Sequence, residues 1–109
     1  MNKLTIIADD KAVYVDGASF SNLDLSTAGI PADVHALQWN ATNNAGWIEF
    51  LDDQNGHKPV NEAITALPAW ATACVAIYNA QVAANAAAAA EAAAKAAANQ
   101  PKTVGTTTV

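Results

Sequence analysis

The chain has 109 residues, with ten acidic side chains against five lysines, no arginine and a net charge of −5. Nucleic-acid binding depends on clustered cations that displace counterions from phosphates, and Lys3, Lys11, Lys58, Lys95 and Lys102 are scattered, so that class is set aside. The one cysteine, Cys74, excludes an intrachain disulfide framework and a cysteine-based zinc cluster; it reads as a small apolar residue on a helix.

Met1-Asn2-Lys3 leads straight into an alternating segment containing Asp9 and Asp10, so no signal peptide is expected. Residues 3–8 are rich in β-branched types and read as a strand. Asp9-Asp10 makes a turn, and Lys11 to Asp16 alternates as the second half of a hairpin that ends at the turn pair Asp16-Gly17. Phe20 to Leu25 reads as a short third strand, followed by a loop punctuated by Gly29 and Pro31.

Val34 to Trp39 alternates again. Strict alternation puts Val34, Ala36 and Gln38 on one face and His35, Leu37 and Trp39 on the other. Trp47 to Leu51 is its hairpin partner across the polar turn 40–46, and residues 52–59 form a second polar loop. These four or five strands describe a small antiparallel sheet with one face in need of a cover.

The cover comes after Leu67, where Pro68 suits the first turn of a helix. Trp70, Cys74 and Ile77 recur at helical spacing, and Trp70 and Ile77 are expected to pack on the sheet. The core is assigned to Trp39, Trp47, Phe50, Trp70 and Ile77. Beyond Val82 the chain is alanine up to Ala98, broken only by Asn85, Glu91 and Lys95. Alanine has the highest helix propensity, and Glu91 with Lys95 forms an i,i+4 pair in its favourable order. The helix should run to about Asn99, where Pro101 stops it, and at a rise of about 1.5 Å per residue it is longer than a small head needs.

The expected architecture is α+β: a β-rich head (residues 1–66), one long alanine-rich helix (67–99) and an extended tail (100–109). An alanine helix buries little apolar area but permits close backbone approach, so Ala86, Ala90, Ala93 and Ala97 are expected to meet a partner. Val104 and Val109, in the threonine-rich tail, are expected to add a strand to one. A solvated spacer, like repeated Glu-Ala-Ala-Ala-Lys linkers, is the plainer reading of the helix. A membrane span is not expected, because alanine is only weakly apolar and Glu91 and Lys95 interrupt the run.

No catalytic, cofactor or metal site is expected. His35 and His57, with Asp52 and Asp53, have no ligand spacing. Asp52-Asp53-Gln54-Asn55-Gly56 lacks the register and bidentate glutamate of a calcium loop and reads as a turn. Ser19, Ser21 and Ser26 have no nucleophile-elbow context. The three tryptophans read as core, with a sugar-stacking platform as the alternative that requires at least one of them to be exposed.

Three stretches carry a resemblance: Ile30-Pro31-Ala32-Asp33-Val34-His35-Ala36-Leu37-Gln38-Trp39, Gly46-Trp47-Ile48-Glu49-Phe50, and Asn61-Glu62-Ala63-Ile64-Thr65-Ala66-Leu67-Pro68-Ala69-Trp70. Together they resemble small virion-associated proteins of tailed bacteriophages, encoded near tail-fibre or tail-tip components, in which an alanine-rich tail often follows. The resemblance implies a non-enzymatic structural component of the tail, fibre- or baseplate-associated, made in the host cytoplasm and carried in the virion. Its partners would be other tail proteins and further copies of the same chain, three if a fibre is involved. The alternatives are a tail-fibre assembly chaperone and a carbohydrate-binding tip module.

Overall fold

A computed structural model describes residues 1–53 and 55–98. Its elements are β1 (Lys3–Ile7), β2 (Ala12–Val15), β3 (Ala18–Phe20), β4 (Val34–Asn40), β5 (Ala45–Phe50), β6 (Glu62–Ile64) and α1 (Ala69–Ala98). The strands make one antiparallel sheet in the order β3-β2-β1-β4-β5-β6, followed by the single long helix, an α+β architecture.

Local chemistry accounts for the hairpins. Asp16 and Gly17 both have positive φ (52° and 88°) and form the two-residue connection between β2 and β3, the backbone shape that suits the twist of a tight hairpin. Between β4 and β5 the Asn40 side chain accepts from the backbone N–H of Thr42 at 2.9 Å and of Asn43 at 3.3 Å, closing the turn. In the loop after β5, the Asp53 carboxylate accepts from the N–H groups of Asn55 and His57 at 2.8 and 2.9 Å. That carboxylate is thus engaged in shaping its own turn.

Cross-strand pairing assigns the two faces. Leu4 and Ile6 pair with Val15 and Val13 on one side and with Trp39 and Leu37 on the other, and Leu37 pairs with Ile48. All but Val15, which packs against it part-buried, belong to one apolar cluster with Leu23, Leu25, Ala28, Ala71, Cys74 and Tyr78. The core therefore lies on a single face of the sheet, under the 21–33 connection and the first turns of α1. The Tyr78 ring stands 5.2 Å from that of Phe20, and its hydroxyl donates to the Ala18 carbonyl at 3.4 Å, tying the helix to the β3 edge.

Several expectations are corrected. The third strand is Ala18–Phe20 rather than 20–25, because Leu23 and Leu25 leave the sheet edge to bury themselves in the core. Residues 62–64, outside the strands expected from the sequence, extend the sheet as β6, paired with β5. Strict alternation in β4 fails because the register shifts between Val34 and Ala36, a bulge that moves Val34 into phase with Leu37 and Trp39. His35 consequently does not share a face with Trp39. It is part-exposed, with Nδ1 3.2 Å from Asp9 Oδ2.

The helix is anchored most deeply by Ala71, Cys74 and Tyr78, with Trp70 and Ile77 part-buried beside them. Small residues at positions 71 and 74 let the helix backbone approach the sheet, which larger side chains there would prevent. The chain divides into two compact units, Met1–Asn79 and Ala80–Val109. The first holds the sheet and the opening turns of α1.

Candidate partner-binding surfaces

Among the described residues two exposed surfaces are candidates for partner contact. The first is the described part of the second unit. From Ala80 to Ala98 every residue is exposed except Gln81, which is intermediate. Polar pairs at i,i+4 decorate the helix: Gln81 Nε2 donates to Asn85 Oδ1 at 2.8 Å, and Lys95 Nζ stands 3.1 Å from Glu91 Oε1. Exposed pairs of this kind add only a few tenths of a kcal/mol. Ala86, Ala90, Ala93 and Ala97 all lie in the helix and are exposed; Val104 and Val109 lie outside the described residues.

α1 is also long and apolar enough to cross a membrane by length and composition, with a mean hydropathy of 1.2 in its most apolar window. Most of that value comes from alanine, whose small side chain supplies little apolar area per residue.

The second surface is the sheet face turned away from the core. Pairing places Ser19, Tyr14, Thr5, Gln38, Trp47 and Ala63 in one row across all six strands. Tyr14 and Trp47 are exposed, and between them Thr5 Oγ1 donates to Gln38 Oε1 at 2.7 Å. Trp47 Nε1 donates to Glu49 Oε2 at 2.9 Å.

Of the residues expected in the core, Trp39 is buried, and Phe50, Trp70 and Ile77 are part-buried against the cluster. Trp47 is not a core residue: it is 43 % exposed. Its neighbour Ile48 pairs with Leu37 on the core face, so period-two geometry sends Trp47 to the outer one. Counting aromatic residues as core misassigned it; the buried Ile48 next in sequence was the available signal.

The histidines form two separate exposed pairs, His35 with Asp9 and His57 with Asp53, the latter at 3.7 Å. The Asp9 partner, 26 residues before His35, carried no sequence signal, since only the β1–β4 pairing brings them together. Among the described residues no group of three or more His, Cys, Asp or Glu could hold a metal ion. Cys74 is buried and free, and desolvation pushes its thiol up to about 11. A buried thiol of this kind is a packing residue, not a nucleophile. A shallow groove near the start of β4 is lined by Ala32, Asp33, Phe50, Leu51, Asp52, Asp53, Pro59 and Val60.

No protein-family model matches the chain, and neither a curated protein nor a solved structure matches it.

Proposed function

We propose that this chain is a non-enzymatic attachment protein of a tailed-bacteriophage tail, fibre- or baseplate-associated, whose head seats on one neighbour while the alanine helix contacts another. The observation that carries the reading is the exposure of α1 from Ala80 onward, apart from part-buried Gln81. The last buried residue of the helix is Tyr78, so twenty further residues of regular helix contribute nothing to the core. These twenty residues continue a helix already started on the head, and alanine's high helix propensity sustains them without burial, which leaves their surface free for a partner. A contact that buries the helix would stabilise it, and small side chains allow a neighbouring helix to approach closely.

The virion setting comes from the resemblance of residues 30–39, 46–50 and 61–70 to small tail-associated proteins. Contact with protein is favoured over a bilayer by alanine's small apolar area and by the Glu91–Lys95 pair within the run. Further copies of the chain are the simplest source of a matching helix, since closed symmetric assembly is the commonest form of protein association.

Mass spectrometry of purified infectious particles tests the proposal. Stoichiometric presence, at a small multiple of the tail symmetry, is the expected result. Absence from particles, with the chain found bound to a fibre protein in infected-cell lysate, would replace this reading with that of an assembly chaperone.

A further inference from the structure

The outer face of the sheet holds a small recess beside Trp47. Lys3, Thr5, Gln38, Asn40 and Trp47, with Trp39, Ala45 and Gly46, line a space of about 190 Å³ over β1, β4 and β5. Sites that enclose drug-sized ligands run to ~300–1,000 Å³, so this one suits a single small ring. The Trp47 indole is restrained by its bond to Glu49 while nearly half of its surface stays in solvent. Beside it are two carboxamides, a hydroxyl and an ammonium. Because Gln38 Oε1 accepts from Thr5, the Gln38 amide nitrogen keeps its donor capacity.

A pyranose presents C–H groups on one ring face and hydroxyls, each both donor and acceptor, around its rim. Its complement is a flat aromatic surface flanked by side chains that donate and accept in several directions, which is the composition of this recess. The recess combines the apolar Trp39, Ala45, Gly46 and Trp47 with the polar Lys3, Thr5, Gln38 and Asn40, so it offers both the apolar surface and the polar rim that such a ring requires. A phosphate backbone would need clustered cations, and the recess contains only Lys3. We infer that this recess binds one pyranose ring of a glycan, stacked on Trp47, with its hydroxyls bonded to Thr5, Gln38, Asn40 and Lys3. Tyr14 lies in the same row, three strand spacings or roughly 14 Å from Trp47, and offers a second platform to a longer glycan.

The test is an array of bacterial and mammalian oligosaccharides probed with the full-length protein and with Trp47→Ala, Trp47→Phe and Gln38→Ala. Trp47 is outside the core, so Trp47→Ala is expected to melt with the parent. The expected result is binding to at least one glycan class, weakened about tenfold or more by Trp47→Ala and by Gln38→Ala and partly retained by Trp47→Phe. Failure to bind any glycan, or binding that Trp47→Ala leaves unchanged, would overturn the inference.

Discussion

Trp39 and Trp47 stand on the two strands of one hairpin and face opposite sides of the sheet. Trp39 pairs with Gly46, which places Trp47 one residue out of phase, and the two are 7 % and 43 % exposed. One tryptophan completes the core; the other stands on the solvent-facing side of the sheet.

Their truncation should therefore separate cleanly. Trp39→Ala is expected to cost about 3–5 kcal/mol, the range for removing a large buried aromatic side chain. Trp47→Ala should stay within about 0.5 kcal/mol of the parent, as exposed substitutions do. Urea denaturation of both variants checks this, and a large loss in the second would mean that the outer face is covered.

Gly46 makes the pairing possible. A Cβ there would meet the Gln38 carbonyl oxygen and lie 2.9 Å from the Trp39 Cα, both on the backbone of β4, which cannot rotate out of the way. Gly46→Ala is expected to destabilise the head by about 1–3 kcal/mol through the strain of overpacking. A change in thermal melting reports it; an unchanged midpoint would show that β4 and β5 can separate without cost.

Cys74 gives a pH signature. Its ordinary value is 9.0, and burial pushes it up to about 11 in the folded chain. The folded state then holds its proton more tightly than the unfolded state does. The associated stability is complete below about pH 9 and is lost as the pH rises towards 11. Cys74→Ala should flatten that alkaline limb, as followed by denaturation at stepped pH. The native thiol should also resist alkylation at neutral pH until denaturant is added.

Asp16 gives the opposite limb. The backbone N–H groups of Lys3 and Asn2, in that order of effect, hold its carboxyl below 3.8. Its contribution is present above that value and is lost as the pH falls through the lowered one. Asp16→Asn keeps a residue tolerant of the left-handed backbone at φ 52° while removing the charge. The acid limb of stability should become shallower. An identical limb would remove Asp16 from the acid response.

Much of the fold was legible because it rests on local patterns. The β1–β2 and β4–β5 hairpins followed from alternation and from the turns at Asp9-Asp10 and 40–46, and the long helix followed from alanine and from Pro68 just before it. What escaped the sequence depends on distant pairing or on a single shift of phase. The bulge between Val34 and Ala36 changed which of the β4 residues face the helix. β6 is three residues long, too short for alternation to register, and exists because β5 offers it an edge. The outer row Tyr14, Thr5, Gln38 and Trp47 comes from four different strands, so no local spacing could announce it.

The central claim is that the alanine helix touches another chain, and Lys95 is placed to report it. Its ammonium is exposed within the helix and the head carries its own lysines, Lys3, Lys11 and Lys58, for comparison. Lysine cross-linking of intact purified particles, read by mass spectrometry, is the most direct measurement. The predicted result is a cross-link from Lys95 to a second copy of the chain or to another tail protein. Lys95 modified only by singly attached reagent, while the head lysines cross-link to neighbours, would contradict it and leave the helix a solvated spacer.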